Sequence, residues 1–197
     1  MVVERLNLLE FTAAVNTQPT CTANDGVIDF NVIGGSGVNT VELFEADGVT
    51  PTGIAPAGNQ FTGVGFGTYV VRVTDNTLGN PANCTKEIQV TLEEPTPVTL
   101  QITQKTDISC FGAADGTINV RLVAPSAGVN DNPPYIFTID NGVDPIITQS
   151  TGFFSGLNPG VYDITVTSNR NCVAVDQVTI VEPAQLAASI SNVVDFM

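Results

Sequence analysis

The chain has 197 residues, of which 43% are hydrophobic and 13% charged, and its 20 acidic against 6 basic side chains leave a net charge of −14. Such a surface repels phosphate backbones and anionic lipid, which argues against nucleic acid as a partner and makes a membrane surface a poor one. No run reaches the roughly 20 apolar residues that cross a bilayer, so direct membrane insertion is not expected. Val, Ile and Thr are abundant among 18 Gly and 12 Pro, which points to an all-β protein of strands and tight turns.

In chain order, the opening MVVERLNLLEF lacks the basic start and apolar core of a signal peptide. Val3-Glu4 followed by Leu6 looks instead like the tail of a preceding unit, expected over residues 1–5. A first β-sandwich is expected over 6–95. In it Ile28, Phe30 and Val32 point inward while Asp29 and Asn31 point out, the alternation of a strand with one buried face. Gly34-Gly-Ser-Gly37 reads as a turn at that strand's end, and a further strand falls near Val41–Phe44. Tyr69, Val71 and Val73 make a second inward row after Gly67, and Ile88–Leu92 closes the unit. Pro95-Thr-Pro97 cannot continue a sheet ladder at its prolines and marks a stiff linker.

A second sandwich is expected over 96–185. Ile118, Val120 and Leu122 alternate with Asn119 and Arg121, a strand follows at Tyr135–Ile139, and Tyr162, Ile164 and Val166 repeat the inward row after Gly160. Ala174–Ile180 closes the unit before Pro183, and residues 186–197 read as the first strand of a following unit. The two halves overlay in three blocks. Cys21 to Phe30 matches Cys110 to Val120, Phe61 to Thr74 matches Phe154 to Thr167, and Val90 to Pro95 matches Val178 to Pro183. The offsets of 88 to 93 residues drift only in the loops, which is the signature of tandem Ig-like β-sandwich repeats.

Four cysteines fall two to a unit. Cys21 and Cys84 are 63 residues apart, Cys110 and Cys172 are 62 apart, and in each unit the first precedes an Asp-Gly pair and the second precedes the last strand. One disulfide per repeat follows as the expectation, Cys21 to Cys84 and Cys110 to Cys172, and with it an oxidising compartment. Two alternatives stand beside it: a zinc site, for which there is no His and no Cys-x-x-Cys pair, and four buried thiols.

Without His, neither a Ser-His-Asp nor a Cys-His arrangement can be built, and no phosphate-binding Gly-x-x-x-x-Gly-Lys loop occurs. No pair of carboxylates is singled out for glycoside hydrolysis, so an enzyme is not expected. Asp25-Gly26 and Asp115-Gly116 read as turns, with Asp bonding nearby backbone and Gly accepting a positive φ. Calcium at Asp25 and Asp115 is the weaker alternative, because neither segment has the alternating oxygen ligands of an EF-hand loop, and no other cofactor is indicated. Tyr69 and Tyr162 read as corner tyrosines that cover the core edge and bond backbone through their hydroxyls. Phe66, in a glycine-rich loop, is a candidate for exposure. Glycan recognition lacks the Trp platform it commonly uses, since the chain has no Trp.

The order Cys, Asp-Gly-Thr-Ile, Leu-x-Pro-Gly-x-Tyr-x-Ile-x-Val-Thr, Asn-Cys, Glu-Pro, followed almost throughout from Cys110 to Pro183, resembles the SprB-type repeats of gliding-motility adhesins of Bacteroidetes bacteria. The first unit matches at Cys21, Asp25, Gly26, Gly67, Tyr69, Val71, Val73, Thr74, Asp75, Cys84 and Pro95. It lacks the proline before its glycine and has a longer loop over Thr77 to Asn83. The resemblance implies a long cell-surface filament exported by the type IX secretion system and moved by the gliding machinery. Its partners would be neighbouring repeats, that machinery and surface polysaccharide. The rival is a carbohydrate-binding or calcium-dependent adhesive module of another large secreted protein.

Overall fold

A computed structural model describes residues 8–35, 37–76, 84–123 and 133–189. The expected tail at 1–5 and the long loop at 77–83 lie outside them, as do residues 190–197. Among the described residues there is no helix, and so none long and apolar enough to cross a membrane. Contacts divide the chain into two compact units. One runs to Thr96 and includes Arg170–Cys172; the other takes Pro97–Asn169 and the residues from Val173 onward.

The first unit contains β1 (Glu10–Thr17), β2 (Gly26–Ile33), β3 (Asn39–Glu45), β4 (Gln60–Val64), β5 (Gly67–Asp75) and β6 (Cys84–Leu92). They form two antiparallel sheets, β1-β2-β4 and β3-β5-β6. The alternation in β2 sends Ile28 and Phe30 to the inner face, and that in β5 sends Tyr69, Val71 and Val73 there. Phe11 and Phe61 from the first sheet and Leu43, Val90 and Leu92 from the second complete one core between the sheets. Phe30 and Phe61 meet with ring centroids 5.2 Å apart. Each such side chain fully withdrawn from water contributes about 1.5–3 kcal/mol, so a few matched inward rows suffice to hold two sheets together.

The second unit contains β7 (Leu100–Thr106), β8 (Gly116–Leu122), β9 (Tyr135–Asp140), β10 (Ile147–Gln149), β11 (Phe153–Leu157), β12 (Gly160–Ser168) and β13 (Val173–Ile180). Its sheets are β7-β8-β11 and β10-β9-β12-β13. Leaving out the three-residue β10, the pairing scheme is that of the first unit. Ile118, Val120, Phe137, Ile139, Phe154, Leu157, Tyr162, Ile164, Val166 and Ile180 form its core. The outer edge of β9 is lined by β10, whereas that of β3 carries a single bridge, from Phe44 to Pro51.

Both units bulge at a matched glycine. Gly63 in β4 and Gly156 in β11 have φ of +76° and +72°, and the register of each strand slips there against its partner. Left-handed backbone at a bulge is the conformation that Gly adopts without a Cβ penalty. The strand expected at 186–197 is not found over its described part: residues 186–189 form no strand, and Leu186 is 98% exposed. Pro95 is buried while Pro97 and Pro183 are exposed, all three outside strands.

Candidate functional site

Among the described residues no ligand-shaped constellation stands out, so the structural tie points and the cysteines carry the chemistry. Asp25 and Asp115 lie just ahead of β2 and β8. Asp25 Oδ1 accepts the Thr20 backbone N–H at 2.6 Å and its Oδ2 the Thr20 hydroxyl at 3.0 Å, while Asp115 Oδ1 accepts the Ser109 N–H at 3.0 Å. These bonds to Thr20 and to Ser109 hold the two carboxyls below the usual carboxylate range. Each therefore closes its own loop. Among the described residues no group of three or more His, Cys, Asp or Glu is gathered in metal-binding geometry.

The glycines after these aspartates work differently from the turn expected. Gly26 and Gly116 do not have positive φ; they are the buried first residues of strands. A Cβ on Gly26 would strike Leu92 Cδ2 and lie 2.6 Å from the Val64 carbonyl oxygen, and one on Gly116 would come to 2.9 Å from Ile180 Cγ2. Close approach of another strand, not backbone handedness, demands Gly at both positions.

Tyr69 and Tyr162 hold the sandwich corners. Each hydroxyl donates to the carbonyl four residues earlier, Gly65 at 3.3 Å and Asn158 at 3.0 Å. Burial raises both phenol pKa values, with Glu45 adding to it at Tyr69 and Asp144 at Tyr162. Gly67 and Gly160, at φ of +146° and +158°, open the strands that carry them. Phe66, next to Gly67, is exposed.

The cysteines require a correction. The disulfide is Cys21–Cys172, with Cα atoms 5.0 Å apart, whereas Cys84 and Cys110 are exposed and take no part in it. The expected pairs Cys21 to Cys84 and Cys110 to Cys172 are not the ones formed. Strand geometry gives the reason. Glu93 N–H donates to Gln18 Oε1 at 2.8 Å, so the segment leading to Cys21 lies beside the end of β6, while Cys84 begins that same nine-residue strand. At about 3.3 Å per residue the two cysteines stand roughly 26 Å apart, far beyond disulfide reach. The second unit repeats the arrangement: Ile108 N–H bonds Val181 O at 3.0 Å and Gly112 N–H bonds Glu182 Oε1 at 2.6 Å, which fixes Cys110 beside the end of β13, and Cys172 precedes its beginning.

Around the disulfide, the tripeptide Arg170–Cys172 is held in several ways. Cys21 N–H donates to Arg170 O at 2.9 Å. The Arg170 guanidinium donates to Pro19 O at 2.9 and 2.6 Å and to Glu93 O at 2.6 Å. Burial draws the Arg170 pKa down, while the charges of Glu93 and Asp25 oppose that shift. Sequence reasoning missed Arg170, because its role depends on which end of the sandwich Cys21 occupies.

Among the described residues, each unit carries an open groove. One of about 470 Å³ lies along β1, β2 and β4 and is lined by Thr12, Asp29, Asn31, Asn59 and Gln60, with Gln60 donating to Asp29 at 2.8 Å. The other, of about 290 Å³, lies in the second unit beside Asp144, Asn158 and Tyr162. Asn158 and Asn141 both donate to the Asp144 carboxylate, at 3.0 and 2.7 Å, and lower its pKa.

No family model matches the chain, and no curated protein matches it by sequence. Its fold is similar to that of the three N-terminal domains of the highly immunogenic outer capsid protein (Hoc) of bacteriophage RB49. The TM-score is 0.51 at 15% identity over 88% of this chain, which spans 58% of the length of that one. Fibronectin(III)-like modules of Clostridium thermocellum CbhA align over 92% of this chain and 100% of that chain, at 16% identity and a TM-score of 0.39. With one core between two antiparallel sheets in each unit, the fold is an all-β, Ig-like β-sandwich carrying one disulfide.

Proposed function

We propose that this chain is a structural and adhesive repeat module of a long, secreted bacterial cell-surface protein, of the SprB-type kind that serves gliding motility and surface attachment. The observation that supports this best is the reuse of one plan in both units: the same pairing scheme, bulge glycine, Asp-tied loop and corner tyrosine. Repetition of that kind suits a spacer whose length matters more than any one pocket. The disulfide favours an oxidising location outside the cytoplasm, and the net charge of −14 keeps like filaments apart.

The test is an antibody raised to the purified chain and applied to intact cells of the bacterium that encodes it. Labelling of unbroken cells, together with slower spreading and weaker retention on glass, is the expected result. Recovery of the protein only from the cytoplasm, with its cysteines reduced, would overturn the proposal.

A second reading, a carbohydrate-binding module, draws on the groove beside Asp29, Asn31, Asn59 and Gln60, whose amides and carboxylate suit sugar hydroxyls. Binding of soluble polysaccharide that is lost in Asp29→Ala and Gln60→Ala would favour it. Calcium remains the weaker arm of that reading, at Asp25 and Asp115, and titration calorimetry with calcium alone decides it.

A further inference from the structure

We propose that Asn141, ahead of Gly142, is the chain's site of deamidation, that the folded second unit guards it, and that the acid it yields cannot rebuild the turn it leaves. The modification is spontaneous and needs only water. It is independent of where the protein works and of what it binds.

The chain contains a single Asn-Gly pair. Gly has no Cβ to shield its backbone nitrogen, so the Asn before it is the one most open to attack on its own side chain. The pair directly follows β9, and Gly142 and Val143 are both exposed, which gives water access to the turn.

In the reaction, Gly142 N loses its proton and attacks Asn141 Cγ. The Cγ–Nδ2 bond breaks, the amide nitrogen leaves as ammonia with that proton, and a succinimide ring remains. Water then opens the ring at either carbonyl, giving Asp or its isomer linked through the side-chain carboxyl. Neither an oxidant nor a reductant takes part.

Ring closure removes two hydrogen-bond donors that the fold is using. Gly142 N–H donates to Asp140 Oδ1 at 2.7 Å, and Asn141 Nδ2 donates to Asp144 Oδ2 at 2.7 Å. Both acceptors are carboxylate oxygens, so both bonds are charge-assisted. Asn141 Oδ1 meanwhile accepts Val143 N–H at 3.1 Å and Asp144 N–H at 2.8 Å, which fixes the side chain against the turn. The nucleophile and the leaving group are therefore both tied in the folded unit, and both are released when it unfolds.

The first unit shows why the product fails. Its loop after β3 builds the same kind of turn on an acid: Asp47 Oδ1 accepts the N–H groups of Val49 and Thr50, both at 2.8 Å, with Gly48 at φ of +66° against +71° for Gly142. There the other oxygen, Asp47 Oδ2, receives the Thr50 hydroxyl at 2.6 Å. Three residues on, the turn built on Asp meets a donor, Thr50, and the turn built on Asn meets an acceptor, Asp144. Deamidation puts a carboxylate oxygen in place of Nδ2 and sets it against the Asp144 carboxylate, where like charges repel.

The experiment incubates the full chain at mildly alkaline pH, folded in buffer and unfolded in urea, and follows each asparagine by fragmentation of tryptic peptides, Asn141 in the peptide 122–170. Asn141 is expected to convert first in urea and about tenfold more slowly in buffer, a factor close to what one net hydrogen bond contributes. Asp140→Ala, checked for folding by circular dichroism, raises the rate in buffer and leaves the rate in urea unchanged. Thermal melts supply the second arm. Asn141→Asp lowers Tm, and Asp144→Thr added to it recovers most of the loss by restoring the pattern of Asp47 and Thr50. Equal rates in buffer and urea, earlier conversion of another asparagine in urea, an unchanged Tm in Asn141→Asp, or a loss that Asp144→Thr does not reverse overturns the proposal.

Discussion

The inner faces of the two units are nearly interchangeable, and the outer faces are not. Inside, Tyr69, Val71 and Val73 correspond to Tyr162, Ile164 and Val166, and Phe61 corresponds to Phe154, all buried. Outside, the row Glu42, Arg72, Glu87 of the β3-β5-β6 sheet is replaced in the second unit by Thr138, Thr165, Val175. Arg72 bonds Glu87 at 2.6 Å and lies over the Phe44 ring, 4.2 Å from its centroid; at the matched place the second unit exposes Val175 and, one row along, Val173 and Ile136. Packing against the opposite sheet dictates the inner row, because a volume change there is felt by every neighbour. The solvated row is free to diverge.

The largest test of that contrast is truncation of the matched core rings. Phe61→Ala and Phe154→Ala, at residues 0% and 2% exposed, are each expected to cost about 3–5 kcal/mol in denaturant-induced unfolding. A difference greater than about 2 kcal/mol between them would break the equivalence of the two cores. By comparison, Arg72→Thr, which swaps one outer row for the other, is expected to cost under about 1 kcal/mol.

Next come the close-approach glycines. Gly26→Ala and Gly116→Ala are expected to destabilise by about 1–3 kcal/mol, with the larger effect at Gly26, where a Cβ would meet both Leu92 and the Val64 carbonyl. Thermal melts monitored by circular dichroism check this, and an unchanged Tm for either variant would contradict the close packing described. A smaller effect, about 1 kcal/mol, is expected for Tyr69→Phe and Tyr162→Phe, each of which removes one hydroxyl bond to backbone.

The smallest effect is one of pH. The Asp25 and Asp115 carboxyls are held below the usual carboxylate range by bonds to Thr20 and Ser109. The unfolded chain therefore takes up these protons first as pH falls, so their stabilisation is present above about pH 4 and is lost as pH drops through the folded values. In Asp25→Asn and Asp115→Asn the fall in Tm between pH 5 and pH 2 should be shallower than in the parent chain. An identical slope would show that these bonds do not couple to folding.

Much of this architecture was legible in the chain because strand alternation is a strong, short-range signal: the rows at Ile28, Tyr69, Ile118 and Tyr162 could be assigned by period alone. The strands β1 and β7 were not. In β1, Ala13 and Ala14 dilute the apolar pattern, and in β7 the register slips between Ile102 and Gln104, which breaks the alternation. The tyrosine corners were visible because a Gly-x-Tyr at a strand start has few other uses, whereas Gly26 and Gly116 could be located but not explained, since the strand they admit is distant in sequence. The cysteine spacing gave the bonding wrongly, since the disulfide is Cys21–Cys172. Equal spacing says that two residues recur in each unit, but only the direction of the strand between them says that they occupy opposite ends.

The bridge from Phe44 to Pro51 has a consequence for how such a chain survives its own synthesis. Two segments of one design, made one after the other, are each other's most capable mispairing partners, and an open strand edge is where that mispairing starts. Pro51 offers no N–H at the bridge that meets β3, and the brief β10 lines the corresponding edge of β9. Each unit thereby limits recruitment of its sibling's strands while both are emerging, and folding can finish locally before the wrong halves exchange.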